Sequence, residues 1–192
     1  MRVISGKLRG MKLSAPKGLT TRPTDDMLKE NIFNLIGPIK KDSRVLDLFA
    51  GSGQIGIEFI SRGSNDVVFV DKDFSAIKSI KSNMEKIDFI NFKIIKTDAF
   101  KYLKNYTGQA FDYIYIDPPY DDTDFLEKIL EFYPKSDIIN EDTCIIFETI
   151  KSYQEESDKY KIIKSREYGK RKVIILKVND ESDISGELWS RN

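Results

Sequence analysis

The chain has 192 residues, of which 40% are apolar, so it can form one packed domain without disulfide bonds. It contains 31 basic and 31 acidic residues and no histidine, which excludes Ser-His and Cys-His catalysis and nearly every zinc site with imidazole ligands. No segment approaches the roughly 20 apolar residues of a membrane span, and the single cysteine, Cys144, cannot form an internal bridge. We therefore expect a cytoplasmic protein with no membrane partner, no metal site and no signal peptide.

The N-terminal segment is basic, although the whole chain is neutral. Six basic residues precede the first acidic residue, Asp25. Such a run indicates either a polyanionic partner or a solvated basic arm. Glycines at positions 6, 10 and 18 favour a short β-hairpin or an extended arm, and a helix is predicted to follow it and to end at Gly37-Pro38.

Buried strands alternate with amphipathic helices along the rest of the chain, which predicts a parallel sheet covered on both faces. The last two strands turn at Gly169-Lys170 and should form an antiparallel hairpin. We expect an α/β, doubly wound, mostly parallel seven-stranded sheet, with an N-terminal appendage over 1–40, the main domain over 41–178 and a polar tail over 179–192. The predicted strands are 44–50, 67–71, 92–98, 113–117, 143–149 and the final pair, and the predicted helices are 53–62, 74–87, a short one to about 104, and 123–133.

A glycine loop, Gly51-x-Gly53-x-x-Gly56, follows the first strand and opens a helix, and Asp71 ends the next strand. This arrangement is typical of sites that bind an adenosine cofactor. Asp47 would oppose the pyrophosphate of NAD but would suit the cationic methionyl end of S-adenosylmethionine. The alternative is that Asp47 only bonds amides of the loop.

Two further acids end neighbouring strands at the same edge. Asp71 is predicted to accept hydrogen bonds from the ribose hydroxyls of the cofactor. Asp98 is expected either to accept from the adenine amino group or to cap the helix that follows it. Glu148 also ends a strand near this edge, where a pairing or capping role is equally consistent with the sequence.

The stretch "DPPY", from Asp117 to Tyr120, ends the fourth strand. The Asp117 side chain and the Pro118 carbonyl can accept both N–H bonds of a planar ring amine, and Pro119 adds rigidity. Tyr120 can stack on the base. Alone, the motif would indicate a turn, but after the glycine loop, Asp71 and Asp98 it favours methyl transfer to an amine.

Several blocks of the sequence, "ISGKLRGMKL", "RPTDDMLKENIFNLI", "LDLFAGSGQIGIEFISRG", "DPPY" and "REYGKRKVIILKV", together resemble the RsmD-type bacterial 16S rRNA guanine-N2 methyltransferases over residues 2–178. The resemblance implies a Rossmann-like class I methyltransferase fold, a monomer, and methylation of guanine N2, usually at guanine 966, in 16S rRNA or the assembled small ribosomal subunit. Two departures are Asp71, where the family commonly has Glu, and the unmatched tail. The resemblance implies an amine site of Asp117, Pro118, Pro119 and Tyr120, a cofactor site of Asp47, Phe49, Gly51, Ser52, Gly53, Asp71, Lys72, Asp98 and Ala99, and RNA contacts from Lys7, Arg9, Lys12 and Arg22.

Three other functions are consistent with parts of this pattern. An amino methyltransferase acting on DNA adenine or cytosine would use the same four-residue motif. An NAD-linked oxidoreductase would use the glycine loop but leaves "DPPY" and the basic arm unexplained. A noncatalytic RNA-binding protein would keep the basic arm without methyl transfer.

Overall fold

The computed structural model describes residues 1–16, 23–118, 137–151 and 160–178, with the side chains of 23–25 excepted. The predicted helix 123–133 and the polar tail lie outside these residues. Within them, seven strands form one sheet in the order β3-β2-β1-β4-β5-β7-β6. The elements are α1 (Pro23–Ile36), β1 (Arg44–Leu48), α2 (Gln54–Arg62), β2 (Asp66–Asp71), α3 (Phe74–Met84), β3 (Phe92–Lys96), α4 (Ala99–Lys104), β4 (Tyr113–Ile116), β5 (Cys144–Ile150), β6 (Tyr160–Tyr168) and β7 (Arg171–Val178).

Strands β1 to β5 are parallel, and β7 pairs antiparallel with both β5 and β6. The strand order reverses between β1 and β4, which makes the crevice above these two strands the expected ligand site of an open α/β sheet. Helices α1, α2 and α3 contribute apolar side chains to the core on one face, and α4 contributes to the core on the other face. The predicted doubly wound sheet and its antiparallel C-terminal hairpin are therefore confirmed.

The N-terminal arm, residues 1–16, is a small hairpin held on α2 and α3. Arg2 and Lys12 form an antiparallel bridge, and the backbone N–H of Val3 donates to the Met11 carbonyl at 3.0 Å. The carboxylate of Glu58 on α2 accepts from the backbone N–H groups of Ile4 at 2.8 Å and Ser5 at 2.9 Å. These bonds satisfy a fully buried carboxylate and fix the arm beside the glycine loop.

Four elements, β1, α3, β3 and β4, end earlier than the sequence indicates. Strand β1 ends at Leu48, because Phe49 adopts a left-handed backbone with φ of 67° that breaks the extended conformation. Helix α3 ends at Met84, since the next residues make tighter bonds, such as that from the Ile87 N–H to the Met84 carbonyl at 3.0 Å. No helix in the described part of the chain is long and apolar enough to cross a bilayer.

Candidate active site

A cavity of about 270 Å³ opens at the carboxyl ends of β1, β4 and β5. The arm, α1 and the loop between β1 and α2 enclose it, so residues far apart in sequence meet here. Five polar side chains from the sheet line this cavity, and they are Asp47, Tyr115, Asp117, Glu148 and Arg171. The site therefore lies at the reversal point of the strand order, where the topology predicts it.

The glycine loop turns sharply between β1 and α2. Phe49, Gly51 and Gly53 all have positive φ, at 67°, 55° and 77°. The loop is tied to β2, because the Gly51 N–H donates to Asp71 Oδ2 at 2.8 Å. A side chain at Gly56 would bring its Cβ within 2.3 Å of the Phe69 ring, so a glycine there lets α2 approach the sheet closely.

Asp47 lies beneath this loop and is 1% exposed. Its Oδ2 accepts a hydrogen bond from the Gly56 N–H at 2.9 Å, so the loop-amide contact that the sequence left open is present. Burial raises the pKa of Asp47 to about 8, and the charge of Asp71 adds to this while the Gly56 N–H opposes it. The same side chain lines the cavity, where a cationic ligand would favour its ionised form.

Asp71 ends β2, Lys72 follows it, and Asp98 and Ala99 follow β3; these four predicted cofactor residues do not line this cavity, and neither does Gly53 of the glycine loop. Asp71 accepts from the Asp73 N–H at 2.8 Å as well as from Gly51, which fixes its carboxylate beside the loop. Asp98 caps α4, accepting from the N–H groups of Phe100 at 3.0 Å and Lys101 at 3.2 Å. Lys72 is exposed and Ala99 is buried, and the ligand contacts of all four remain predictions.

Phe49, Gly51 and Ser52 line the cavity, as does Asp117. Because Leu48 pairs with Ile116, the residue after β4 stands directly beside the loop that begins after β1. Pro118 is buried next to Asp117. Pro119 and Tyr120 lie outside the described residues, so the predicted motif is described only in its first half.

Several residues of the cavity were not singled out as ligands from the sequence, among them Tyr115, Arg171 and Gln54. The Tyr115 hydroxyl donates to Glu148 Oε2, and Arg171 Nη1 donates to Glu148 Oε1. Burial, reinforced by the charges of Glu148 and Asp117, raises the pKa of Tyr115 well above its ordinary value. The period of two along β4 places Tyr115 on the same face as Asp117, and this signal was available in the sequence.

The cavity contains an acceptor that suits a ligand donor. Gln54 Oε1 is buried and has no hydrogen-bond partner among the described residues. A buried, unsatisfied carbonyl is costly, and a ligand ammonium group would satisfy it. Together with Asp47, it makes the cavity fit the cationic amino-acid portion of S-adenosylmethionine. No cluster of three potential metal ligands occurs in the described ranges.

The predicted RNA-contact residues Lys7, Arg9 and Lys12 are exposed on the arm. The Lys7 Nζ lies 5.7 Å from the centroid of the Phe89 ring. Arg9 and Arg2 line a second groove of about 410 Å³ between the arm and α1. Arg22 lies outside the described residues.

Several known proteins are similar to this chain in sequence and in fold. "Putative rRNA methyltransferase YlbH" of Bacillus subtilis is 43% identical over 153 residues, which is 77% of this chain and 82% of that protein. "Ribosomal RNA small subunit methyltransferase D" of Buchnera aphidicola is 36% identical over 118 residues, and the match spans 62% of each protein. The structure described as "Putative methyltransferase yhhF from Escherichia coli" has a TM-score of 0.81 and covers 94% of this chain and 99% of its own. At 23% identity, this last likeness shows the fold alone, which is the Rossmann-like fold of class I methyltransferases.

A family model described as "Conserved hypothetical protein 95" matches residues 1–177, nearly the whole described structure. The chain therefore belongs to that family, the RsmD-type rRNA methyltransferases, as its sequence blocks predicted.

Proposed function

We propose that this protein transfers a methyl group from S-adenosylmethionine to the exocyclic N2 of one guanine in 16S rRNA, as the family resemblance implies for guanine 966. One observation carries the proposal: Asp117 lines the same cavity as Asp47 and the glycine loop. An acceptor for an amine and a site for a cationic cofactor thus lie within one cavity. Proximity of this kind supplies much of the rate of a methyl transfer.

Residues at the β1 and β2 ends hold the cofactor. Asp47 and Gln54 face its cationic amino-acid end, and the backbone of Gly51 to Gly53 curves around it. Asp71 offers carboxylate oxygens to the ribose hydroxyls, and Asp98 lies at the next strand end for the adenine. When bound, S-adenosylmethionine supplies an electrophilic methyl group on a positively charged sulfur.

Residues after β4 hold the base. The Asp117 carboxylate and the Pro118 carbonyl accept the two N–H bonds of the amine and turn its lone pair toward the methyl group. Pro118 keeps its carbonyl in place because proline fixes φ and carries no competing N–H. After transfer, the amine is acidic and its proton passes to Asp117 or to water.

The basic arm positions the RNA. Lys7, Arg9 and Lys12 contact phosphates, while the pocket and the shape of the RNA select the nucleotide. The partner is 16S rRNA, free or within the small subunit, and the enzyme acts as a monomer in the cytoplasm. The target base is unpaired or is turned out of its helix to reach the cavity.

Substitution of Asp117 tests the proposal. Asp117→Ala should lower methyl transfer to small subunits by about 100-fold or more, since an oriented acceptor is lost, while the affinity for S-adenosylhomocysteine changes little. Asp142→Ala is the matched control, because the Asp142 side chain is 85% exposed and remote from the cavity. Undiminished turnover in Asp117→Ala would refute the role of this carboxylate.

The product distinguishes this function from its alternatives. Mass mapping of rRNA after the reaction should find one methylated guanine, with the methyl group on N2. Methylation of adenine or cytosine in DNA would favour the competing amino methyltransferase. Calorimetry should show binding of S-adenosylhomocysteine and no binding of NAD, because the buried acceptors of Asp47 and Gln54 suit an ammonium group and not a pyrophosphate.

A further inference from the structure

The polar side chains of the cavity come from one face of the sheet. Tyr115 pairs with Ile146 in the β4–β5 register, so the positions two residues further on, Asp117 and Glu148, are neighbours on that same face. Adjacent strands lie about 4.8 Å apart, so both side chains can contact one planar base. Asp117 therefore has a second carboxylate beside it on the side away from the glycine loop.

Glu148 is held in a fixed position. It is 2% exposed, and its two oxygens accept from the Tyr115 hydroxyl and from Arg171. Arg171 begins β7, two residues before Val173, which pairs with Glu148. The Arg171 side chain is 34% exposed and lines the cavity, so a ligand there meets both the Glu148 carboxylate and the positive charge of Arg171.

The hydrogen-bonding edges of the bases differ at the atom next to the amine. In guanine, the N2 amine is followed by the N1–H donor and then by the O6 acceptor. In adenine and cytosine, the amine is followed by a ring nitrogen that accepts and carries no hydrogen. A carboxylate beside the amine site stabilises guanine through N1–H and repels the lone pair of the other two bases.

We propose that Glu148 is a specificity-determining residue, which accepts the N1–H of the target guanine while Arg171 favours its O6. This inference rests on the proposed function, because it assigns the next contact of the same amine site. It explains how a motif that serves several ring amines selects one base. A site that offers an acceptor to a substrate N–H rejects analogues that lack this hydrogen.

Glu148→Gln tests the proposal, because it removes the charge and keeps the size of the side chain. With small subunits from cells that lack this methylation as substrate, kcat/KM for guanine should fall at least tenfold. The affinity for S-adenosylhomocysteine should remain within about twofold, since the cofactor lies on the other side of Asp117. Methylated adenine, identified by mass spectrometry, should rise as a fraction of the product, because the Gln amide can donate to a ring nitrogen.

Three further variants separate recognition from folding. Glu167→Gln makes the same change at a half-exposed carboxylate on β6 and should retain full activity. Tyr115→Phe removes a hydrogen bond to Glu148 but leaves the charge of the Glu148 carboxylate in place, so the selectivity for guanine should remain. If Glu148→Gln does not fold, Glu148→Asp provides the test, since a shortened carboxylate should lower the guanine rate without admitting adenine.

The outcomes distinguish this inference from the function on which it rests. If the wild-type protein forms no N2-methylguanine, the proposed function fails. If the wild-type protein forms it and Glu148→Gln matches its rate and base selectivity, only the inference fails. Equal losses in Tyr115→Phe and Glu148→Gln would make Glu148 a structural residue and would also overturn the inference.

Discussion

At the scale of single residues, Asp47 combines a structural bond with an unusual protonation equilibrium. Its pKa is raised by burial from the ordinary value of 3.8 to about 8, so the folded protein binds a proton that the unfolded chain releases between these two values. Wild-type stability should therefore lose a contribution as the pH rises from 4 to 8. Asp47→Asn has no such proton to release and should gain stability relative to wild type across this range, by an amount on the order of a few kcal/mol.

The measurement is the free energy of unfolding by denaturant for both proteins at pH 5 and pH 8.5, without ligand. The comparison isolates Asp47 together with its electrostatic coupling to Asp71, because the other titrating groups contribute nearly equally to both proteins. The Asn side chain can still accept from the Gly56 N–H, so the difference between the proteins should be smaller at pH 5 than at pH 8.5. A difference that does not vary with pH would show that Asp47 has an ordinary pKa.

The individual site residues were predictable where the local sequence pattern shows that they lie at the end of a buried strand. Asp47 lies one residue before the end of β1 and Asp117 directly follows β4, and the parallel arrangement brings both to one edge of the sheet. The pairing of Glu148 with Arg171 was not predictable, because Arg171 reaches it only through the register of β5 with β7. For Asp98 the sequence left two roles open, and the helix cap is the one the structure describes.

At the scale of elements, the arm depends on a close approach to α2. A side chain at Gly6 would bring its Cβ within 1.9 Å of the Ser61 carbonyl oxygen, which belongs to the rigid helix backbone. Gly6→Ala should therefore lift the arm from α2, with a loss of about 1–3 kcal/mol of stability from the collision alone. Cofactor affinity should fall as well, since Met1, Ala15 and Pro16 of the arm line the cavity.

Gly10→Ala is the matched control. Gly10 has φ of 84°, close to the 80° of Gly6, but a Cβ there meets no atom within 4 Å. Both variants therefore carry the same backbone strain, and only Gly6→Ala adds the collision. Hydrogen exchange of the Ile4 and Ser5 amides, which donate to Glu58, should accelerate in Gly6→Ala alone. Similar exchange in both variants would mean that backbone strain, and not packing, controls the arm.

The elements were more predictable than their contacts. Continuous apolar runs defined the strands, because strands buried on both faces exclude polar side chains. The arm was expected as a hairpin, yet its anchors on Glu58 lie 53 and 54 residues away, and local pattern contains no information about such pairs. The early end of β1 was also not predictable, because a phenylalanine side chain gives no reason to expect the left-handed backbone of Phe49.

At the scale of the whole molecule, the order of the strands and the distribution of charge explain how one neutral chain can act on RNA. The reversal between β1 and β4 places the glycine loop and Asp117 side by side. The arm adds exposed cations to a chain whose formal net charge is zero. Binding to a polyanion therefore depends on local charge rather than on the total.

The last prediction concerns this local charge. Arg9 is exposed and lines the groove between the arm and α1, where a phosphate contact would release condensed cations from the RNA. Arg9→Glu should weaken binding of 16S rRNA and reduce the slope of log affinity against log salt by at least about one, with no change in cofactor affinity. Lys93→Glu is the control, because it makes the same change in charge at an exposed position on β3, at the far edge of the sheet. Titrations at several salt concentrations measure both slopes, and equal slopes for Arg9→Glu and wild type would exclude Arg9 as a phosphate contact.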